Sequence, residues 1–211
     1  MLSTINSKGT TTHVYENVTP IPIRTNIILL SDAIQLFLEK DGYKIHRVPE
    51  MNELYSSVSR GTGADAGSDA VFETEHIDGP FGFIPGCYLY RCILTIVNDT
   101  KTQTVIKDSV FEMKPLEFVV IDYNRDLHYI SSAKDSGNRF VIKLHFAKTP
   151  SWLCFPFVVL FIKANVFYNI IARKLFLYAI NPTNWCQKSV NFIIMNTTRL
   201  FSYLYSKKKQ D

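Results

Sequence analysis

The stretch RFVIKLHF, residues 139–146, decides how this chain folds. Read as a β-strand, it sends successive side chains to opposite sides. Arg139, Val141, Lys143 and His145 then share one face, and Phe140, Ile142, Leu144 and Phe146 share the other. Runs of similar texture precede it: VFETEHI (71–77), CYLYRCILTIV (87–97), TQTVIKDSVFEM (102–113), EFVVIDYN (117–124) and HYISS (128–132). Turn residues separate them at Gly79-Pro80, Asn98-Asp99, Lys114-Pro115 and Ser136-Gly137-Asn138. Short strands at this spacing predict a sandwich or barrel, not alternating βα units.

The flanks read differently. Residues 1–19 are polar and Thr/Asn-rich, which predicts a flexible arm. Residues 20–70 read as an α/β supporting segment. Within it IPIRTNIILL (21–30) has strand-like composition, and Ser31 or Asp32 caps a short helix with Ile34, Phe37 and Leu38 on one side. Asp41-Gly42 stops that helix, and SSVSRGTGADAGSD (56–69) reads as a mobile loop. The β core covers 71–148. Residues 149–211 form a hydrophobic tail of helical character, with an apolar stretch over 151–180, a break at NPTNW (181–185) and a second apolar segment ending in Lys207, Lys208 and Lys209. The fold class is therefore mainly β with flanking helices.

Composition narrows the function classes. An apolar content of 46% against 20% charged residues supports a packed core. A net charge of +4, with no interleaving of basic and aromatic residues, excludes a nucleic-acid groove. Cys87, Cys92, Cys154 and Cys186 fall at irregular spacings, which excludes a zinc ribbon or a disulfide framework and makes Cys87 and Cys92 core thiols. The N-terminus has no apolar signal core, so a reducing cytoplasmic setting is expected and the sequons at Asn17, Asn98 and Asn196 are read as chance matches.

Chemistry enters at HIDGPFGF (76–83). In a strand, His76 and Asp78 present an imidazole and a carboxylate on the same side. His128, at the entry to a later strand, is the candidate third ligand. Two His and one carboxylate on one side leave three positions of an octahedral metal open, enough for a bidentate 2-oxo acid and dioxygen on ferrous iron. Arg139 lies 11 residues beyond His128, and an inward Arg is costly unless it grips an anion, which a planar guanidinium does in two places. Lys143 is the backup cation on that face. His46 and His145 read as structural, Asp122 and Asp126 as flanking a turn, and Tyr90 and Arg91 as core packing or an edge salt bridge rather than co-substrate contacts.

The order HxD, intervening strands, His, then Arg resembles the Fe(II)/2-oxoglutarate-dependent dioxygenase superfamily, and most closely its prolyl 4-hydroxylase-like branch. The matching segments are YRCILTIVND (90–99), MKPLEFVVID (113–122), LHYI (127–130) and GNRFVIKLHF (137–146), so the resemblance spans about residues 71–148. It implies a double-stranded β-helix (jelly-roll) core, with His76, Asp78 and His128 as iron ligands. Arg139 would hold the distal carboxylate of 2-oxoglutarate, with ascorbate as an optional reductant. The implied activity is hydroxylation of a small-molecule, lipid or protein side-chain substrate, 2-oxoglutarate being decarboxylated to succinate and CO2. After Asn98-Asp99 the chain has TKTQTV in place of the branch's Gly-rich turn, so proline hydroxylation is not carried over. The alternatives are a catalytically silent β-helix or cupin-like binding module, and a cupin-type dioxygenase that uses no 2-oxo acid.

The tail has three readings: an interfacial anchor, a tilted transmembrane helix, or helices capping the core. WLCFPFVVLFI (152–162) alone is too short to span, and extension to Ile171 incorporates Lys163 and two Asn. Trp152, Tyr168, Tyr178 and Trp185, interleaved with Arg173 and Lys174, suit a membrane surface.

Overall fold

The structure, a computed structural model, describes residues 4–6, 9–15, 21–60, 75–131, 135–179, 182–194 and 196. Its elements in chain order begin with β1 (Thr4–Asn6), β2 (Gly9–Tyr15), α1 (Ile21–Leu38), β3 (Tyr43–Arg47) and β4 (Glu53–Arg60). They continue with β5 (Tyr88–Asn98), β6 (Thr104–Ile106), β7 (Ser109–Phe111), β8 (Phe118–Asp122), β9 (His128–Ile130), β10 (Ser136–Pro150) and α2 (Phe155–Ala179). The chain is mainly β with flanking helices.

RFVIKLHF lies at the centre of β10, which at 15 residues is the longest strand described. β10 pairs antiparallel with β5 along one edge, and with β4 and then β3 along the other. The large sheet runs β1-β2-β4-β10-β5-β8 with β3 beside β10, and a small sheet runs β7-β6-β9. His76 bridges His128, which places the HxD segment next to β9.

The alternation along β10 sorts two environments. Ile142, Leu144 and Phe146 join Leu54, Cys92 and Leu94 on the outer face, under Ile34 of α1. On the inner face Val141 packs with Tyr55, Ile93, Ile121 and Ile106, and Ile106 belongs to the small sheet. The two sheets therefore close on one another at this layer. At one end of that interior, Leu89, Ala147 and Tyr123 meet Phe161 of α2. Cys87 and Cys92 are buried free thiols, as the sequence predicts.

Several expectations are corrected. IPIRTNIILL is not a strand; it is the first half of an 18-residue helix. Pro22 at its start costs nothing, because the first helical N–H groups have no intrahelical acceptor. Leu30, Ile34 and Leu38 at i, i+4, i+8 pack on the outer face of the sheet, and this tertiary burial overrides β-propensity. Phe37 does not share their side: it is 67% exposed and meets Phe118 edge-on. The expected arm contributes β1 and β2, because Thr-rich GTTTHVY completes the open edge of β4. Residues 56–60 of the expected mobile loop belong to β4. The remainder of that loop, residues 71–74 and the terminal lysines lie outside the described residues. Gly42 ends the turn after α1 with φ +77°, a conformation that favours glycine.

Candidate metal centre

HIDG is held in place by the turn that follows β8. Gly79 N donates to the Tyr123 carbonyl at 3.0 Å, and a Cβ on Gly79 would fall 2.3 Å from Asn124 Oδ1. Only glycine permits that approach. Asn124 Oδ1 in turn accepts from Phe81 N, while Arg125 clamps the same loop through Gly82 O and Ile84 O and pairs with Asp122. Asp122 and Asp126 do flank this turn: Asp126 Oδ2 accepts from Asp122 N. The turn then delivers His128 directly into β9.

These two segments bring His76, Asp78 and His128 together, with one potential ligand atom from each lying within 4.8 Å of the other two. His128 Nε2 stands 3.2 Å from Asp78 Oδ2, and His76 Nε2 stands 3.8 Å from Asp78 Oδ1. Metal–ligand bonds of about 2.1 Å at right angles separate neighbouring ligand atoms by about 3.0 Å. The His128–Asp78 separation is close to that edge, while the group as a whole is bounded at 4.8 Å, so its side chains would draw together around a bound ion. His128 Nδ1 lies 3.0 Å from the Asp126 carbonyl. Donation from Nδ1–H to that oxygen leaves the Nε2 lone pair facing the cluster, as a metal ligand requires. The His76 and Asp78 side chains are 12% and 14% exposed, that of His128 only 5%.

Arg91 is the residue whose partners sequence reasoning missed. It is buried and in a salt bridge, but an interior one: its Nη1 donates to Asp78 Oδ2 at 2.6 Å and its Nε to His145 Nε2 at 3.0 Å. Burial alone would push the Asp78 carboxyl up. Arg91 first, then the neighbouring His128 and His76, outweigh it and hold the group well below the usual carboxylate range. Burial, and then Arg91, hold His145 well below the ordinary imidazole value, so it is a neutral acceptor for Arg91. His145 is thus structural, as is His46, which bonds the Thr149 hydroxyl at 3.1 Å.

Arg139 is buried on the inner face of β10 and lies over the Tyr55 ring at 5.6 Å. Tyr55 packs with Ile106, the cross-strand partner of His128, so Arg139 and the cluster share one interior. Lys143, the backup cation, is engaged by Glu53 at 2.8 Å, both side chains being almost wholly buried. Asp135, four residues before Arg139, pairs with Lys101.

The far side of the cluster is closed by α2. Tyr123 lies under the Arg91 guanidinium at 4.7 Å and donates its hydroxyl to Asn169 Oδ1 at 3.0 Å. Asn124 donates to Asn165 Oδ1 at 3.1 Å. Those are the two asparagines that read as costs of a membrane span; here they dock the helix. Their i, i+4 spacing inside an apolar run was the available signal.

Searched against known protein families and curated proteins, the chain matches none.

Proposed function

We propose that this chain is an Fe(II)- and 2-oxoglutarate-dependent oxygenase with a double-stranded β-helix core, held at a membrane by its C-terminal tail. The observation that carries the reading is the convergence of His76, Asp78 and His128, with the carboxylate kept ionised by Arg91. Two nitrogens and one oxygen on one side are the donor set of a facial iron site.

Strand pairing supports the fold. Counting the HxD segment as a strand, the eight from β4 to β10 pair first with eighth, second with seventh, third with sixth and fourth with fifth. One long antiparallel double strand wound upon itself gives this pairing, and that is a double-stranded β-helix.

Bound there with 2-oxoglutarate and O2, ferrous iron supplies an oxidant able to hydroxylate an unactivated C–H bond, releasing succinate and CO2. The residues of the chain do the rest. His76 and His128 offer neutral imidazole nitrogens, and Asp78 offers a charge that Arg91 orients. Arg139 grips the distal carboxylate of the co-substrate, a charge-assisted pair strengthened by the interior around Tyr55. Val141, Ile93 and Ile121 exclude water from that layer.

The test is conversion of 2-oxoglutarate to succinate by the full chain with Fe(II), O2 and ascorbate, in the absence of a primary substrate. Slow succinate formation that His128→Ala abolishes is expected. No succinate above the metal-free control would count against the proposal.

The tail contributes the membrane part of the reading. An 18-residue window, Phe155–Ala172, is long and apolar enough to cross a membrane by length and composition, and only 22% of it is buried.

A further inference from the structure

Helix α2 has two faces suited to different surroundings. Val158, Phe161, Asn165 and Asn169 are buried against the β core. On the opposite side Phe157, Leu160, Phe167, Ile171, Leu175 and Tyr178 are between 41% and 67% exposed. Their spacings of three, four and seven stack them into one stripe along the axis. Soluble single chains rarely leave so long an apolar patch in water. Exposed Lys163 and Lys174 run along one flank of the stripe, and exposed Trp152 and Trp185 stand beyond its two ends.

Charge is divided in the same way. Residues 151–211 contain eight of the chain's 23 Lys and Arg but only Asp211 of its 19 acids, a formal +7 that leaves residues 1–150 at −3. Such a tail is attracted to an anionic surface. A second copy of the chain would bring like charges together along the same stripe.

We infer that α2 lies flat in the surface of an anionic lipid bilayer, its Phe157–Tyr178 stripe among the upper acyl chains and its lysines among the headgroups. The inference rests on the membrane part of the reading above and is independent of the iron chemistry. Length alone would permit spanning, since 25 residues extend about 37 Å against about 30 Å of hydrocarbon. Packing opposes it. A spanning α2 would leave the core and carry Asn165 and Asn169 into hydrocarbon, away from Asn124 and Tyr123. Lying flat keeps those bonds and wets only the lysine flank, where long side chains reach the headgroups.

Two native cysteines make the geometry measurable. Cys154 precedes α2 and Cys186 follows it, both exposed, whereas Cys87 and Cys92 are buried. The purified full chain is mixed with sealed vesicles of phosphatidylcholine, with or without phosphatidylserine, then floated and treated with a membrane-impermeant maleimide. Vesicle uptake should rise on the order of tenfold with phosphatidylserine, and both Cys154 and Cys186 should label from outside. Leu160→Glu/Phe167→Glu should lower uptake at least tenfold. Protection of one cysteine would mean a spanning helix and overturn the inference, and so would a stable dimer in place of vesicle binding. The labelling pattern of the parent decides the matter even where the double variant folds poorly. His76→Ala should float like the parent, so failure of the iron site and failure of the lipid surface are told apart.

Discussion

Replacing Arg91 with Met removes the positive charge beside Asp78 while keeping most of the side-chain volume. The pair is 2.6 Å apart and its side chains are 8% and 14% exposed, so solvent screens it little. Breaking a buried pair by removing one partner costs about 3–5 kcal/mol, because the other charge stays buried. For a chain of this size each kcal/mol lowers Tm by roughly 2–4 °C, so the metal-free variant should melt roughly 6–20 °C below the parent at pH 7.5. The sign with pH is also fixed. In the parent, Asp78 is held below its ordinary value of 3.8, so its contribution is fully present above that pH and is lost as pH falls through the lower, folded value. Without Arg91 burial weighs more heavily on the ionised carboxylate, and protonation relieves the variant at a higher pH than the parent. The gap between the two proteins should therefore narrow from pH 7.5 towards pH 5. Differential scanning calorimetry in the presence of a chelator measures it. A variant melting within about 2 °C of the parent, or a gap that does not narrow, would refute the role given to Arg91.

Arg139→Ala should leave metal binding intact and weaken 2-oxoglutarate on the order of tenfold to more than a hundredfold, from the roughly 1.5–3 kcal/mol of a charge-assisted bond; Arg139→Lys should recover part of it, as read by calorimetric titration of the metal-loaded protein. His145 is held below its ordinary value of 6.5, so the unfolded chain takes up a proton first and the parent loses stability as pH falls below about 6.5. His145→Gln retains an acceptor for Arg91 without that titration, and its metal-free Tm should vary less between pH 7.5 and 5; an unchanged slope would exclude His145 as a source. Truncation before residue 151 removes Phe161, Asn165 and Asn169 from Tyr123 and Asn124, so it should yield aggregated or unfolded protein rather than a soluble core, checked by gel filtration.

The cluster was legible in the HxD spacing, though not through a full strand: His76 makes an isolated bridge to His128, and Asp78 follows in a bend. The inward face of β10 was legible from strand parity, Arg139, Val141, Lys143 and His145 all being buried. What escaped were partnerships between segments distant in sequence. Arg91 shows no sign in its own strand of meeting Asp78, and Glu53 lies 90 positions before Lys143. Ile21–Leu30 was misread because isoleucine-rich runs suit a strand or a buried helix equally, and the outer face of the sheet made the choice. Asn165 and Asn169 looked like defects in an apolar helix until Tyr123 and Asn124 came under them.

The proposed oxygenase site requires His76, Asp78 and His128 to hold ferrous iron with two positions open to a 2-oxo acid. Anaerobic titration of 2-oxoglutarate into the Fe(II)-loaded full chain, followed by the metal-to-ligand charge-transfer absorption, tests it most directly. The account predicts a saturable band with one iron per chain, absent in His76→Ala and His128→Ala. A parent that retains no iron, or a band that survives either substitution, would contradict it.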